Sequence, residues 1–487
     1  MVSKTKHLTM IRLLCIIIGG VTLFMLPSLF TAIILGEFSM IRAFLIPLIT
    51  GIVLALFAVL FIRKDANGIR PREGILLVFL TWIFSSLIGS IPYYLSPSGI
   101  HIIDAIFESS CSFSTTGATT LSDVESLPRS LLLWRSIGHW AGGMGIILLT
   151  VALMPLLGVG GGVQLIKAEV PDPEREKITP RITTAAKILW CAYCIFTVVL
   201  ALLYRIGGMD WFDAVCHGFT IMSTGGVCTK NNGFGYYNSA FIDWVTVIFM
   251  LLGALNFNLY YRIFQKKFRD VFNNTECRVY LSIFVIAALV ISINLIPKYG
   301  SFGSALRYGS FQTASILTSA GNARVDYSSW SSFAQAILFL LMFIGGCSGS
   351  TAGGIKVVRW SILFKQTINE FRRILYPQGV FSIQLNKKVG RKDIVYGVTG
   401  YIFLYFVIVA ITTLATAASG FDLFSSFSTA LSVTGNIGTG FGIIGPHNNY
   451  SVFQPHLKIL YSLVMIAGRL ELWTVIVLFT PGYWKSL

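Results

Sequence analysis

The stretch SFSTTGATT, residues 112–120, is a small hydroxyl-rich run with one glycine, and it follows a short apolar segment. Three related runs occur further along the chain. Aligned without gaps, the four segments are DAIFESSCSFSTTGAT from Asp104, DAVCHGFTIMSTGGVC from Asp213, YGSFQTASILTSAGNA from Tyr308 and SSFSTALSVTGNIGTG from Ser425. The alignment places a glycine at the same position of each segment, at residues 117, 226, 321 and 438. Such a recurrence indicates one assembly built from repeats rather than independent domains.

Composition sets the class of protein. Of the 487 residues, 54% are hydrophobic and 12% are charged, whereas soluble domains carry about 25% charged residues. Apolar stretches long enough to cross a bilayer recur along the chain, which is typical of a polytopic helical membrane protein. The net charge of +16 comes from basic residues between these stretches, as in cytoplasmic loops, so nucleic-acid binding is not predicted. Both chain ends are predicted to lie inside.

The apolar pattern predicts ten membrane-spanning helices. They lie near residues 12–35, 41–62, 75–95, 130–155, 184–206, 241–261, 279–296, 332–360, 394–417 and 457–480. Within each of the four later pairs, a short apolar segment ending in a glycine-bearing run separates the two spans. We therefore predict an all-α polytopic membrane protein with four pseudo-symmetric repeats of span, half-helix, filter loop and span around one pore. The predicted units are two N-terminal helices in 1–72 and pore repeats in 73–182, 183–275, 276–392 and 393–487.

The short segments are about ten residues long, roughly 15 Å as helices, which is half the hydrocarbon core. Non-helical backbone at that depth is tolerated only inside protein or beside a water-filled cavity. A half-helix entering from outside directs its partly negative C-terminal end to the membrane centre, and Asp104, Asp213 and Asp422 suit its other end. Rings of carbonyls replace the hydration shell of potassium in channel filters. The candidate potassium-binding filter residues are Thr115, Thr116, Gly117, Thr224, Gly225, Gly226, Ser319, Ala320, Gly321, Asn436, Ile437 and Gly438.

Taken alone, each loop favours a re-entrant turn or a small-residue packing site, and only the fourfold recurrence favours a filter. The predicted outer segments, 97–127, 207–243, 297–332 and 418–452, hold nine acidic and four basic residues. A negative vestibule of this kind concentrates cations. The general excess of basic residues on the inner side of membrane proteins gives the same sign.

The second unusual stretch is GGCSGSTAGGIKVVR, residues 345–359, which interrupts the apolar run AQAILFLLMFI. Its small residues do not favour a helix, and a phosphate-binding P-loop is not supported because no Gly-Lys-Ser/Thr follows. We predict a break in the second helix of the third repeat, beneath the filter, as a candidate gate. The alternative is a kink that packs small residues. The candidate gate residues are Gly346, Cys347, Ser348, Gly349, Ser350, Thr351, Ala352, Gly353, Gly354 and Arg469.

Arg469 lies near the middle of the last span, in LVMIAGRLELWTVIVLF. A charge at that depth faces the bundle interior and finds partners. We predict that its acceptors are backbone carbonyls of the broken third-repeat helix; a buried acid is the alternative. Glu471 is discounted as that acid, because residues two apart on a helix do not face each other. His139 is predicted to be a packing or hydrogen-bonding residue.

These residues carry a resemblance to a known family. STTGAT, STGG, TSAGN and GNIGTGFG resemble the filter loops of the TrkH/TrkG/KtrB superfamily of potassium uptake proteins. GGCSGSTAGGIK resembles that family's intramembrane gate loop, which is the most specific match, and GRLELWT resembles the segment with its last-helix arginine. The two early spans and QLIKAEVPDPEREKITPR, residues 164–181, are similar to the Trk branch. The resemblance covers essentially the whole chain.

The resemblance implies potassium uptake across the cytoplasmic membrane of a bacterium by a homodimer. It also implies a cytoplasmic nucleotide-binding regulatory ring of the TrkA type, which is not part of this chain, and no bound cofactor, potassium being the transported ion. The chain departs from the family pattern at two places. TSAGN, residues 318–322, stands where a threonine-rich run followed by phenylalanine is usual, and Thr439 stands where a proline is common. These departures favour some sodium permeation.

Three classes of function stay open. A channel-like potassium uptake protein is favoured by the repeats, a sodium- or proton-coupled symporter is the first alternative, and the ion-translocating subunit of an ATP-driven potassium pump is the second. The sequence has no catalytic dyad, metal-ligand cluster or phosphorylation motif that favours an enzyme.

Overall fold

Residues 2–62, 71–148, 178–385, 388–389 and 392–484 are described by the computed structural model. Helices dominate this part of the chain, and the strands within it are one short antiparallel pair, Gln384–Leu385 with Lys388–Val389. The predicted all-α class is therefore confirmed.

The N-terminal part consists of helices that precede the first glycine-bearing loop. They are α1 Val2–Leu23, α2 Leu26–Ile34, α3 Phe38–Phe61, α4 Pro71–Gly89 and α5 Ile91–Tyr94. The helices that follow are α6 Ile102–Ser114, α7 Arg129–Leu148, α8 Ile178–Ile206, α9 Trp211–Met222, α10 Ala240–Gly253, α11 Phe257–Phe264, α12 Phe268–Phe272, α13 Thr275–Tyr299, α14 Phe302–Leu317, α15 Ser332–Leu341, α16 Val357–Leu375, α17 Lys392–Ala418, α18 Leu423–Gly435, α19 Pro455–Arg469, α20 Leu472–Ile476 and α21 Pro481–Trp484.

Four of these helices, α6, α9, α14 and α18, correspond to the predicted short segments and are called half-helices 1 to 4. Their lengths are 13, 12, 16 and 13 residues, more than the predicted ten, because each begins before its aligned segment. Asp422 caps half-helix 4 by accepting the backbone N–H of Ser425 at 2.9 Å, as predicted. Asp104 and Asp213 lie in the first turns of half-helices 1 and 2, which is also the predicted end.

The number of predicted spans differs from the structure. Within the described residues, six helices are long and apolar enough to cross a membrane, or up to eight if two bent pairs each count as one span. The bent pairs are α10 with α11, at 90°, and α19 with α20, at 116°. The described part of predicted span 130–155 is not among these helices, and neither is predicted span 332–360. The first carries Arg135 and His139 among several glycines, and the second stops being helical after Leu341.

The segment between α15 and α16, residues 342–356, is the polar loop, and it contains the predicted gate residues. The two bends in the other helices contact it. At the first bend, the carbonyl oxygen of Ala254 accepts the N–H of Cys347 at 2.8 Å. At the second bend, Glu471 has a left-handed backbone, with φ of 66°, which ends α19 next to Arg469. Helices from three predicted repeats thus break around one loop.

Several predictions lie outside the described residues. They are the end of the span near 130–155, most of the segment 164–181, and the basic residues Arg63, Lys64, Arg70, Lys387 and Arg391 of two predicted cytoplasmic loops.

Candidate functional site

All four half-helices end in the same backbone geometry. The first loop residue is left-handed in each case, although none is a glycine: φ is 54° at Thr115, 54° at Thr224, 52° at Ser319 and 53° at Asn436. The next N–H donates back to the carbonyl five residues earlier, at 3.0, 2.7, 2.9 and 2.9 Å respectively. This is the Schellman type of helix end. A left-handed conformation costs a non-glycine residue about 1–2 kcal/mol, so the surroundings hold all four in place.

The glycine two residues further on is also left-handed in each loop. Its φ is 80° at Gly117, 76° at Gly226, 66° at Gly321 and 87° at Gly438, a region that glycine adopts without steric cost. The residue between is not left-handed. Backbone handedness therefore alternates along residues 115–117, 224–226, 319–321 and 436–438, which are called glycine loops 1 to 4. Such alternation turns successive peptide groups to the same side of the chain.

The four glycine loops meet in a closed ring. A Cβ atom built on Gly117 would lie 2.7 Å from the carbonyl oxygen of Gly225, so loop 1 touches loop 2 with no room for a side chain. The other three glycines meet the middle carbonyl of the next loop in the same way: Gly226 meets that of Ala320, Gly321 that of Ile437, and Gly438 that of Thr116. The last contact returns to loop 1. The structure thus brings all four predicted loops together around one axis.

Buried side chains support glycine loops 1 and 3 by binding the residues that follow them. In loop 1, the Glu108 carboxylate accepts the N–H of Thr120 at 2.6 Å, the hydroxyl of Thr119 at 2.8 Å and the guanidinium of Arg135 at 3.2 Å. The residue at the same aligned position of loop 3, Gln312, accepts the N–H of Arg324 at 3.2 Å. Sequence reasoning missed these braces. The signal was their shared position, nine residues before each glycine.

We expect Glu108→Ala to lower the free energy of unfolding by about 3–5 kcal/mol, because the mutation leaves the buried Arg135 charge unpaired. The side chains of Arg135 and Glu108 are only 4% and 1% exposed. Asp270→Asn is the matched control, since its partner Arg262 is 39% exposed and surface pairs contribute about 1 kcal/mol or less. Thermal melting in detergent measures both variants, and equal melting temperatures would contradict the bracing role.

The predicted negative vestibule is partly neutralised. Four of its nine acidic residues form ion pairs, namely Asp104 with Lys458 at 2.6 Å, Glu108 with Arg135 at 3.2 Å, Asp213 with Lys230 at 3.4 Å, and Asp243 with Arg307 and Arg324 at 2.6 and 2.9 Å. The segments remain net negative, but less so than the sequence count, because Arg135 and Lys458 lie outside the segments in which charges were counted. They reach the acids only in the folded bundle.

Backbone hydrogen bonds join the two ends of the polar loop. The N–H of Gly345 donates to the carbonyl of Ile355 at 2.9 Å, and the N–H of Val357 donates to that of Gly346 at 3.1 Å. One carboxylate oxygen of Glu276 accepts the N–H of Ser348 at 2.6 Å and that of Val358 at 3.3 Å. Glu276 comes from α13 and was not predicted from the sequence. These bonds join the two ends of the loop to each other and to α13.

The tip of the polar loop lies directly against the ring. The hydroxyl of Thr224 donates to the carbonyl of Thr351 at 3.0 Å, and the N–H of Gly353 donates to the hydroxyl of Ser319 at 2.6 Å. A Cβ on Gly353 would lie 2.8 Å from Cβ of Asn436. The predicted gate segment therefore contacts the first residues of glycine loops 2, 3 and 4.

Arg469 is buried and donates through Nη1 to the carbonyl of Thr351, which is the kind of acceptor predicted. Glu471 instead pairs with Arg359, on the helix that follows the polar loop. Arg469, at the end of α19, thus holds the polar loop. Glu471, two residues later, holds α16. His139 is buried, with its ring against Gly225, and within the described residues neither ring nitrogen has a hydrogen-bond partner, which fits a packing residue.

The long apolar helices, the inward-ending half-helices and the ring of loops define a polytopic helical membrane protein with a central backbone-lined site. The family model TrkH, described as a cation transport protein, matches residues 43–486. The chain belongs to this family. The family consists of transporters, which confirms both the resemblance stated above and the prediction that the chain is not an enzyme.

Known proteins resemble the chain over most or all of its length. The Trk system potassium uptake protein TrkH of Escherichia coli K12 is 37% identical over 431 residues, covering 87% of this chain and 88% of that protein. The uptake protein TrkG of the same strain is 34% identical over 489 residues, covering 99% and 100%. The crystal structure of the potassium transporter TrkH from Vibrio parahaemolyticus superimposes with a TM-score of 0.89 at 30% identity, covering 98% of this chain and 100% of that one.

Proposed function

We propose that the chain carries out potassium uptake through a channel-like pore, with the four glycine loops as the selectivity filter. The observation that supports this most is the closed ring, in which each glycine lies against the middle carbonyl of the next loop. The proposal keeps the division into two N-terminal helices and four pore repeats, which the shared half-helix ends support.

The chemistry of the ring suits a dehydrated monovalent cation. Four helix C-termini converge on it, and each carries partial negative charge. Carbonyl oxygens can replace the hydration shell of potassium without an ionisable side chain. No further cofactor is needed in this proposal, and potassium is the transported ion.

The polar loop is proposed to be the gate, in its closed position. It lies against three of the four glycine loops and is tied to Arg469. The helix after it, α16, carries Lys365, Arg372 and Arg373, and such basic residues favour the cytoplasmic side. In this proposal both chain ends are cytoplasmic, the chain forms a homodimer in the bacterial inner membrane, and a TrkA-type nucleotide-binding ring moves α16 to open the gate.

Flux through vesicles tests the proposal. Purified protein in potassium-loaded vesicles should take up rubidium down its gradient, faster than sodium, without ATP and without a sodium or proton gradient. Protein-free vesicles are the control. Uptake that requires sodium or protons in fixed ratio would indicate a symporter, and uptake that requires ATP and partner subunits would indicate a pump; either result would overturn the channel proposal.

A further inference from the structure

The first residues of the four glycine loops are equivalent by alignment and by backbone conformation, yet their side chains have different partners. Thr115 in loop 1 has a buried hydroxyl that finds no hydrogen-bond partner among the described residues. Asn436 in loop 4 donates to the hydroxyl of Thr116 and to the carbonyl of Met465, at 3.0 and 2.8 Å. Thr224 and Ser319 in loops 2 and 3 bond to the polar loop. The polar loop thus breaks the equivalence of the four positions.

The hydroxyl of Ser319 forms a direct bridge between the polar loop and the ring. It accepts the N–H of Gly353 at 2.6 Å and donates to the carbonyl of Thr318 at 2.7 Å. Ser319 is only 2% exposed. A hydroxyl has a single proton to donate. Here Ser319 donates that proton to the carbonyl of Thr318, the residue just before loop 3. While the polar loop is in place, the N–H of Gly353 occupies an acceptor site of this hydroxyl and so fixes its orientation.

Thr224 has a related arrangement in loop 2. Its hydroxyl lies 2.6 Å from the carbonyl of Ser223 and 3.0 Å from that of Thr351. The polar loop therefore holds the first residue of two of the four glycine loops, Thr224 and Ser319. Both have a left-handed backbone, a conformation that the surrounding structure has to maintain. Withdrawal of the polar loop removes this support from loops 2 and 3.

We propose that Ser319 is a specificity-determining residue, because its hydroxyl couples the position of the polar loop to the shape of the filter. The gate and the filter then do not act independently. Movement of the polar loop changes the ion preference at the side of the ring that the polar loop contacts. This inference rests on the filter and gate roles proposed above, and it adds that selectivity depends on the gate.

A double-mutant cycle tests the coupling. The rubidium-to-sodium flux ratio is measured in vesicles for wild type, for Ser319→Ala, for a deletion of residues 349–353, and for both changes together. We expect the combined effect to differ from the product of the single effects by about fivefold, the change in an equilibrium that one such hydrogen bond produces. Ser319→Thr keeps the hydroxyl and should retain most of the coupling. Effects that simply multiply would overturn the proposal.

Thr115→Val is the matched control, since it removes an equivalent hydroxyl that makes no hydrogen bond to the polar loop. Its effect on the flux ratio should be the same with and without the deletion. Coupling of equal size at Thr115 would overturn the assignment to Ser319. Ser319→Cys, a weaker hydrogen-bonding group of similar size, replaces the alanine variant if that protein does not fold. Absence of any rubidium flux from folded wild-type and deletion proteins would instead refute the proposed function itself.

Discussion

Deletion of residues 349–353 should increase rubidium flux about tenfold or more through vesicles that contain no partner protein. The deletion removes Thr351, to which Arg469 and Thr224 both donate, and Gly353, which donates to Ser319. Each such bond contributes about 1 kcal/mol to the closed position, so the loss of two or more gives at least this factor. The bonds of Gly345 and Gly346 that join the ends of the polar loop lie outside the deletion, so the two helices stay connected.

The comparison needs equal amounts of folded protein. Monodisperse elution and a melting temperature close to that of wild type establish this for the deletion variant, and an ionophore that empties all vesicles normalises their volume. The gate assignment would be refuted by a folded deletion variant that conducts no faster than wild type.

Gly438→Ala should reduce the rubidium-to-sodium flux ratio about tenfold. A Cβ at this position would overlap the carbonyl oxygen of Thr116, which belongs to the ring. The residue also has φ of 87°, where alanine is strained by about 1–2 kcal/mol. To relieve both effects, loop 4 has to move away from loop 1 and open the ring, and sodium discrimination is lost as the carbonyls separate.

Gly420→Ala separates the two causes. Gly420 has a similar φ of 93°, but a Cβ built there meets nothing within 4 Å. Strain alone should lower the melting temperature of both variants, while only Gly438→Ala should change the flux ratio. The filter assignment fails if Gly438→Ala is well folded and keeps the wild-type ratio.

The parts of the site that repeat along the sequence could be predicted from it. Alignment alone located Gly117, Gly226, Gly321 and Gly438, since only a glycine tolerates both the left-handed backbone and the contact with the next loop. The break before residue 357 was predictable because its small polar residues interrupt an apolar run. Arg469 was predictable as a ligand of that break, because a charge in an apolar helix needs an acceptor.

Contacts between distant segments could not be predicted in this way. The bends at residues 254–256 and at Glu471 lie in stretches that remain largely apolar, so no local pattern marks them. Glu276 looks like an ordinary helix-start acid, yet it joins both ends of the polar loop. Lys458 and Arg135 neutralise acids far away in the sequence or on another helix. These features depend on how the helices pack, which periodicity does not encode.

The ring is built from one polypeptide, and its four walls are chemically different: the middle residues are threonine, glycine, alanine and isoleucine. In a ring of identical subunits, one codon change alters every wall at once. Here one codon change alters a quarter of the ring and leaves three walls intact. With the proposed filter role, ion preference can therefore be adjusted in small, separately heritable steps, and different lineages can tune one wall without rebuilding the other three.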